Sequence, residues 1–571
     1  MWLLDFEFIS EPGSRPVPVC MVAKELISGR LLRLWRDDLP TTPPFDTGPN
    51  SLFVAYMAAA EISCFLELGW PVPERVLDLY VEFRAKTNGQ TLSEGRGLLG
   101  ALSYHGITGI TSDEKHDGRA LVMRGGPWTD PERRQILDYC QTDVDALAPL
   151  LERMLPNIMA SPAGLGQALL RGRYMAAVAR MERTGVPIDV PALSGIRAGW
   201  QDIKLDLIKD IDRDFGIYEG TTFKAGLFAD WLHEQGIDWP RTPTGRLKLD
   251  QDTFRDMAKT YPELGPIKEL RHALGEMRLE KLAVGPDGRN RASLFPFGAK
   301  TGRNTPSNNG FIFGPSVWLR GLIRPVQGQA IAYVDWSSQE VAIAAALSGD
   351  AALLDAIATG DPYLAFAKRA GLAPPEATKE THGRIRDVCK TCVLGINYGM
   401  GAKSLAYRTG ISVIEAERIL RALATTFPVF WEWSDHVVDI GILTGHLATV
   451  YGWPLLVAES ARSTSLRNYP MQGNGAEMLR IACCLATERG INVCAPVHDA
   501  LLIESSECDI EEAVANTRAA MAEASRAVLS GLEVGTDVES IVRWPGRYSD
   551  PRGKPMWDRV SRLLEHRGCK G

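Results

Sequence analysis

A hydrophobic run that ends in an acid lies near the middle of the chain. Residues 332–350 read AYVDWSSQEVAIAAALSGD, in which apolar residues lead to Asp335, a short polar turn follows, and an Ala/Val/Ile-rich run begins after Glu340. This pattern predicts a strand that carries a carboxylate at its C-terminal end and continues into a buried helix. Because acids at strand ends are common, this stretch alone leaves a structural role for Asp335 as open as a functional one.

The start of the chain alternates apolar and acidic residues. The segment WLLDFEF places Asp5 and Glu7 on the same side of a predicted strand. The β-rich stretches VPVCMVA and GRLLRLW follow, which predicts an antiparallel meander. Two like carboxylates on one strand face repel each other unless solvent or a cation separates them. A divalent-metal site is therefore one interpretation, and a solvated edge strand is the other.

The next part of the chain has the residue spacing of helices, and one linker is predicted within it. The segment ILDYCQTDVDAL places Tyr139 and Asp143 four residues apart, on one helix face. Residues 155–166 (LPNIMASPAGLG) are rich in Pro and Gly and have no clear period, which predicts a linker. Helical pattern resumes at Arg173, and amphipathic helices of mixed charge continue to about Lys281.

Two later stretches combine charged residues with regular spacing. In RDVCKTCVLGINYGMG, four residues recur at every fourth position: Arg386, Lys390, Leu394 and Tyr398. They therefore lie along one face of a predicted helix, and this face turns gradually around the helix axis. The two basic residues lie one turn apart, as fits a triphosphate, and a solvated face is the alternative. In APVHDALLIE, Asp499 is flanked by apolar residues. A charge in an apolar strand needs a partner, and a metal ion supplies one.

Composition and charge limit the class of protein. A chain of 571 residues with 45% hydrophobic and 23% charged residues is typical of a globular protein with several domains. The net charge of −7 does not exclude nucleic acid, because phosphate binding needs only local Lys and Arg. Asp5 interrupts the apolar start, so no signal peptide is predicted, and no apolar run is long enough to cross a bilayer. The ten scattered cysteines indicate free thiols in a reducing cytoplasm, with the adjacent Cys483 and Cys484 buried in a helix.

The three stretches around Asp335, Arg386 and Asp499 together resemble the polymerase motifs of family A DNA polymerases. DWSSQEVA keeps the acid, serine and glutamate of D-Y-S-Q-I-E-L-R. The second stretch matches R-x-x-x-K-x-x-x-F-G-x-x-Y-G, and the third matches the first three residues of V-H-D-E. The matching residues of these last two motifs are Arg386, Lys390, Gly395, Tyr398, Gly399, Val497, His498 and Asp499.

The resemblance implies a polymerase site. Asp335, Asp499 and the backbone carbonyl of Trp336 would hold two Mg²⁺ ions, with Mn²⁺ as a substitute, for phosphoryl transfer to a primer 3′-hydroxyl. Arg386 and Lys390 would carry the triphosphate charge. Further implied contacts are the steric gate Glu340 against ribonucleotides, the nucleotide-binding residues Leu394, Tyr398 and His498, and the DNA-binding residues Arg303, Asn468 and Gln472.

Three positions depart from the family pattern. Leu394 replaces an aromatic residue, Ala500 replaces a glutamate, and Tyr363 replaces a histidine. Because of these departures, the resemblance does not predict how the enzyme discriminates between nucleotide analogues or how fast it adds nucleotides. They also permit the hypothesis that the enzyme accepts a modified base such as 2-aminoadenine.

The N-terminal acids resemble a second element of the same family. D-x-E followed by Y-x-x-x-D is similar to its 3′–5′ proofreading exonuclease domain, and Glu61 stands where that domain has an aspartate. The resemblance implies that Asp5, Glu7, Glu61 and Asp143 hold two metal ions and that Tyr139 orients the attacking water. An inactive relic of this domain is the alternative.

These observations predict an α/β (α+β) protein with two domains. Residues 1–155 would form a ribonuclease H-like exonuclease domain and residues 156–571 a right-hand polymerase domain. Within it we expect a thumb at about 185–290, a palm at about 291–345 and 445–571, and fingers at about 346–444. No 5′-nuclease domain is predicted, and this layout resembles phage members of the family. We expect a monomer that acts on primer-template DNA and dNTPs in the cytoplasm, which is the host cytoplasm if the protein is phage-encoded. A protein with only exonuclease activity and a non-catalytic primer-template binder are the competing hypotheses.

Overall fold

The computed structural model describes residues 1–108, 112–276, 279–307, 310–314, 317–396 and 399–566. The chain divides into two compact units. The first comprises Met1–Gly185, Ser293–Thr305 and Ala332–Ile541, and the second comprises Val186–Ala292, Pro306–Ile331 and Val542–Gly571. The second unit therefore contains the stretch predicted as the thumb, together with C-terminal residues that the prediction assigns to the palm.

The N-terminal part of the first unit is a mixed sheet with helices. Its elements are β1 (Trp2–Ile9), β2 (Val17–Glu25), β3 (Leu31–Trp35), β4 (Phe53–Ala55), α1 (Ala58–Glu67), β5 (Val76–Asp78), α2 (Leu79–Lys86), α3 (Leu98–Tyr104), α4 (Ser112–Met123), α5 (Asp130–Ile158) and α6 (Gly164–Thr184). The strand order is β3-β2-β1-β4-β5. The first three strands pair antiparallel, which confirms the predicted meander, and β4 and β5 run parallel to β1.

The alternation of β1 separates its two faces. Leu3 belongs to a buried cluster that includes Val144 and Leu147 of α5. Leu4, on the opposite face, packs in a second cluster with the aromatic Phe65. Because side chains alternate along a strand, the acids two and four residues after Leu3 lie on the α5 side.

The stretch predicted as a linker is mostly helical, so this prediction is wrong. Helix α5 continues to Ile158 and α6 begins at Gly164, which leaves only residues 159–163 outside the two helices. Met154 and Ile158 are buried in the cluster that contains Leu3. Their burial compensates for the backbone hydrogen bond that Pro156 cannot donate within the helix.

The middle of the chain, largely in the second unit, is helical with short strand pairs. Its elements are β6 (Val186–Pro187), α7 (Val190–Asp212), β7 (Tyr218–Glu219), β8 (Thr222–Phe223), α8 (Ala225–Glu234), α9 (Gln251–Thr260), α10 (Gly265–Glu276) and β9 (Arg289–Asn290). Asp189 caps α7 by accepting a hydrogen bond from Ala192 N at 3.1 Å. Its other carboxylate oxygen pairs with Arg324 at 3.0 Å and with Arg547. These charges hold three distant segments of the second unit together.

The remaining elements surround a second sheet. They are β10 (Gln329–Trp336), α11 (Gln339–Ser348), α12 (Ala351–Ala358), α13 (Pro362–Arg369), α14 (Lys379–Ile396), α15 (Ala402–Thr409), α16 (Val413–Thr426), α17 (Pro428–Thr444), β11 (His446–Ala448), β12 (Pro454–Leu456), α18 (Ser463–Glu488), β13 (Asn492–Val497), β14 (Ala500–Ser506), α19 (Ile510–Val528), β15 (Thr536–Arg543) and α20 (Lys554–His566). The strand order is β13-β14-β10-β15.

Burial follows the sequence pattern in this part. Cys483 and Cys484 are fully buried on α18, as predicted. Among the described residues, no helix has the length and apolar composition that a membrane span requires.

Candidate functional site

Two carboxylates meet at one edge of the second sheet. Asp335 lies at the end of β10, and Asp499 lies in the two-residue turn between β13 and β14. Strand β14 is the neighbour of β10, and Trp336 N donates a hydrogen bond to the carbonyl oxygen of Asp499 at 3.2 Å. The prediction that these acids lie close together in space therefore agrees with the structure.

One detail of that prediction is wrong, because Asp499 is in a turn and not within a strand. His498 precedes it with a φ of 58°, in the left-handed region that tight hairpins use. Val497 and Ala500 pair across the turn. As a result Asp499 is half-buried, whereas its apolar neighbours on both strands are buried.

The electrostatics of this pair favour a bound cation. Burial raises the pKa of Asp335 to about 7, and the charges of Glu539, Asp499 and Asp537 add to the effect. Burial also raises the pKa of Asp499. Within the described part of the chain, the buried Oδ1 of Asp335 has no hydrogen-bond partner. An orphaned carboxylate oxygen beside a second acid fits a divalent ion, so the donor set suits Mg²⁺ or Mn²⁺.

Two further acids near Asp335 were missed from the sequence. Asp537 and Glu539 are two residues apart on β15, the edge strand beside β10, and so lie on the same face of that strand. Ser337 Oγ donates a hydrogen bond to Asp537 at 2.6 Å. The D-x-E alternation in TDVESIVR was the available signal, the same one that selected Asp5 and Glu7.

Glu340 and Arg303 lie beside each other near the two acids. Ser338, with a φ of 54°, precedes α11, and Glu340 lies in the first turn of that helix. Arg303 Nη2 is 3.8 Å from Glu340 Oε1, and the Arg303 charge counteracts the rise in the pKa of Asp499. The structure thus brings the predicted gate and a predicted DNA-binding residue to the carboxylate pair.

The loop before Arg303 is held by a close backbone approach. Gly302 has a φ of 75°, and a Cβ there would lie 3.2 Å from Arg480 and Trp453 atoms. Arg480 Nη1 also donates to the Gly302 carbonyl oxygen at 2.7 Å. These contacts explain why glycine precedes Arg303, since a side chain would strain the turn and displace its neighbours.

The predicted triphosphate residues share one face of α14. The charged groups of Arg386 and Lys390 lie 5.5 and 5.7 Å from the centre of the Tyr363 ring. Arg386 Nε donates to Asp361 Oδ2 at 2.5 Å, and its Nη1 donates to Asp387 at 3.3 Å. Arg386, which is predicted to bind the triphosphate, is therefore paired with two acids in this structure.

For most of the other residues predicted to bind the nucleotide or DNA, the structure shows the position and the exposure. Leu394 is half-buried on α14, and Tyr398 lies outside the described residues. Asn468 and Gln472 are half-buried one turn apart on α18. His498 is exposed beside Asp499.

A second group of acids lies in the N-terminal sheet. Carboxylate oxygens of Asp5, Glu7 and Asp143 all lie within 4.8 Å of one another. Burial, followed by the Asp143 charge, raises the pKa of Asp5 to about 8. Burial, followed by the Asp5 charge, raises the pKa of Glu7 to about 10. Three acids this close bind protons tightly without a cation, so this donor set also fits a divalent ion.

Glu61 lies near this group but has a different contact. It is buried on α1, and its Oε2 accepts a hydrogen bond from Phe6 N at 2.7 Å. Among the described residues the three-carboxylate group does not include it. Burial and the Asp5 charge raise its pKa well above the ordinary value. Its role as a fourth ligand stays a prediction.

Helix α4 supplies a lysine that the sequence reasoning missed. Lys115 Nζ lies 2.7 and 3.0 Å from the two carboxylate oxygens of Asp143. Three residues later, a Cβ on Gly118 would lie 2.5 Å from the ring of Tyr139, so α4 packs directly on that ring. The available signal was the pair of basic residues Lys115 and Arg119, one helical turn apart.

Comparison with known proteins agrees with the polymerase motifs. Residues 312–543 match the model of the family described as DNA polymerase family A. "DNA polymerase I" of Aquifex aeolicus is 26% identical over an alignment of 459 residues that covers 72% of this chain and 75% of that protein. "DNA polymerase I, thermostable" of Thermus thermophilus is 30% identical over 72% of this chain and 51% of that protein.

A phage protein and a solved structure are also similar. The "DNA polymerase" of Mycobacterium phage L5 is 28% identical over 56% of this chain and 53% of that protein. The chain thus spans about half the length of several relatives that it matches. The POL domain of Pol1 from M. smegmatis, in complex with DNA primer-template and dNTP, superposes with a TM-score of 0.71 at 20% identity. The superposition covers 98% of this chain and 96% of that one, and it confirms the predicted fold class.

Proposed function

We propose that this chain, whose residues 312–543 match the model of DNA polymerase family A, adds dNTPs to a primer 3′-hydroxyl under the direction of a template. The single observation that carries this proposal is the pair formed by Asp335 and Asp499 at one sheet edge, with the buried Asp335 Oδ1 lacking a partner among the described residues. The solved structure with the same fold contains primer-template DNA and dNTP, which supports these as the substrates.

The carboxylate pair would hold two Mg²⁺ ions, with Mn²⁺ as a substitute. Asp335, Asp499 and the backbone carbonyl of Trp336 are the ligands that we assign. Bound there, the ions would lower the pKa of the primer hydroxyl and neutralise the triphosphate.

The chain's own residues orient the nucleotide. Arg386 and Lys390, one turn apart on α14, would bind the triphosphate oxygens and stabilise the charge that develops on them. Glu340 would exclude a 2′-hydroxyl group from the sugar site. Leu394, Tyr398 and His498 would line the nucleotide and primer-terminus site, and Arg303, Asn468 and Gln472 would contact the minor groove, where correct base pairs present similar acceptors.

A second activity is favoured by a separate observation, the three carboxylates within 4.8 Å in the N-terminal sheet. We propose that this centre removes nucleotides from the primer 3′ end. Asp5, Glu7 and Asp143, with Glu61 adjacent, would hold the metal ions, and Tyr139 would orient the attacking water. The two sites together would make the protein a proofreading polymerase.

Similarity to a phage polymerase supports a role in the replication of a phage genome. Leu394, Tyr363 and Ala500 alter the surroundings of the nucleotide relative to the family motifs. On this basis we propose that 2-aminoadenine is accepted opposite thymine. Single-nucleotide incorporation of dATP and its 2-amino analogue opposite thymine would test this, and an analogue that is incorporated far less efficiently than dATP would refute it.

Extension of a labelled primer-template with Mg²⁺ and dNTPs tests the two proposed activities together. We expect native protein to extend the primer, Asp499→Asn only to shorten it, and Asp5→Asn only to extend it. Asp138→Asn is a matched control, because Asp138 is exposed on α5 and paired with Arg33. Adding rNTPs to the Glu340→Ala variant tests the steric gate, and we expect ribonucleotide incorporation to increase.

Each activity has its own contradicting result. Native protein that only shortens the primer would refute the polymerase proposal. An Asp5→Asn protein that shortens the primer as fast as native protein would refute the proposed excision site.

A further inference from the structure

A cationic side chain occupies the acidic centre of the N-terminal sheet. Lys115 Nζ bridges both oxygens of Asp143 at 2.7 and 3.0 Å, and Asp143 is one of the three clustered carboxylates. The lysine side chain is 27% exposed and the aspartate side chain 11% exposed, so the pair is largely removed from solvent. The inference drawn from this contact rests on the excision activity proposed above.

A second lysine that pairs with an aspartate of the same helix, α5, provides a comparison. Lys24 pairs with Asp145 at 2.7 Å, two residues beyond Asp143 on α5, but these side chains are 37% and 41% exposed. None of the three clustered acids (Asp5, Glu7 and Asp143) takes part in that pair. The Lys24 contact is therefore an ordinary surface ion pair, whereas the Lys115 contact forms part of the acidic centre.

Helix α4 lies beside this centre. The helix packs against β1 and α5, the two elements that carry the acids. Gly118 lies against the ring of Tyr139, and the charge of Arg119 counteracts the rise in the Tyr139 pKa, so that arginine is also close. Lys115 and Arg119 lie one turn apart on the helix. An acidic metal site with two basic residues on the covering helix has the charges that suit a phosphodiester.

Lys115 competes with a divalent ion for Asp143, because its Nζ contacts both carboxylate oxygens. An ammonium group and a metal ion on one carboxylate repel each other, and the carboxylate oxygens are then engaged by the ion. The lysine has a flexible four-carbon stem, so its charged group can move by several ångströms without movement of the helix. A bound 3′-terminal phosphodiester would supply a new anion for this ammonium group.

We propose that Lys115 is a catalytic residue of the excision site, whose ammonium group neutralises Asp143 in the metal-free protein and binds a non-bridging oxygen of the scissile phosphate in the substrate complex. In the reaction a water oxygen forms a bond to phosphorus. The bond between phosphorus and the 3′-oxygen of the preceding nucleotide breaks. One proton of the water passes to solvent, the 3′-oxygen gains a proton from solvent, and a nucleoside 5′-monophosphate leaves. Lys115 stabilises the negative charge on the phosphate oxygens during this step.

Two measurements on the full chain test the assignment. The first is the excision rate on a 3′-labelled single-stranded oligonucleotide at saturating Mg²⁺, for native protein, Lys115→Met and Lys115→Arg. The second is calorimetric titration with Mn²⁺ without DNA, on an Asp499→Asn background so that binding at the N-terminal centre is resolved. Lys24→Met is the matched control, because it removes an ion pair from the same helix. Thermal melting reports whether each variant folds.

The two readouts should change in opposite directions. Without Lys115, we expect kcat for excision to fall by about 100-fold, the scale on which one stabilising group acts. Mn²⁺ should bind about tenfold more tightly, because a competing cation has been removed. Lys115→Arg should recover part of the excision rate, since it restores the charge, and Lys24→Met should resemble native protein in both assays. A purely structural role would instead weaken Mn²⁺ binding and excision together.

The outcomes separate this inference from the excision proposal. Native protein that does not excise refutes the excision site and, with it, the catalytic role of Lys115. Native protein that excises, together with Lys115→Met that excises within twofold of it, refutes only the role of Lys115. Weaker Mn²⁺ binding by Lys115→Met also overturns the inference, because the lysine would then support the metal site and not compete with it.

Discussion

The ion pair between Arg386 and Asp361 makes a specific prediction about nucleotide affinity. Arg386 is the residue that we assign to the triphosphate, but its Nε donates to Asp361 Oδ2 in this structure. An incoming dNTP must compete with this aspartate for the guanidinium group. Asp361→Asn removes the competing charge and should therefore tighten dNTP binding.

The substitution is mild because Asp361 has a second task that asparagine can perform. Asp361 Oδ1 caps α13 by accepting a hydrogen bond from Leu364 N at 3.1 Å. Asparagine is as good an N-cap as aspartate, so the helix should stay intact. The Arg386 and Asp361 side chains are 15% and 26% exposed. A pair of this exposure contributes about 1 kcal/mol, which corresponds to about a fivefold lower dissociation constant for the dNTP.

Rapid-quench measurement of single-nucleotide incorporation, as a function of dNTP concentration, checks this value. Asp387→Asn is the matched control: Asp387 also pairs with Arg386, but it is 73% exposed and should matter little. A dissociation constant that is unchanged or higher in Asp361→Asn would refute the reasoning. It would mean that Asp361 holds Arg386 in the position from which it binds the triphosphate.

Two further predictions concern proton binding and stability. Burial raises the pKa of Asp335 to about 7, above its ordinary value, so protons compete with Mg²⁺ as the pH falls through 7. The Mg²⁺ concentration for half-maximal extension should rise by about tenfold between pH 8 and pH 6, and a flat profile would contradict this. Glu82 and Arg171 form a bidentate pair at 2.6 and 2.7 Å with side chains 5% and 10% exposed. Glu82→Gln should lower the free energy of unfolding in urea by about 3 kcal/mol, whereas Glu488→Gln, in the exposed pair with Arg173, should lower it by less than about 1 kcal/mol.

Local spacing along the chain was sufficient to predict several parts of both sites. Alternation placed Asp5 and Glu7 on one strand face, and helical spacing placed Tyr139 and Asp143 on one helix face. The apolar run before Asp335 predicted the strand that ends in this acid. These predictions succeed because neighbours two residues apart in a strand, or four apart in a helix, follow from backbone geometry alone.

The tertiary structure decided which charges lie next to one another. Asp537 reaches Asp335 only because β15 is the strand beside β10. Lys115 meets Asp143 only because α4 packs on α5.

In residues 155–166, tertiary packing also decided the secondary structure. Their Pro/Gly-rich composition predicted a linker. Because Met154 and Ile158 are buried in the core, α5 instead continues to Ile158. The sequence by itself therefore determined which residues share a face of a strand or helix, and its motifs resemble those of the family whose model matches residues 312–543. The packing of separate elements determined the partner of each charge, because strand order and helix contacts depend on the burial of side chains that are distant along the chain.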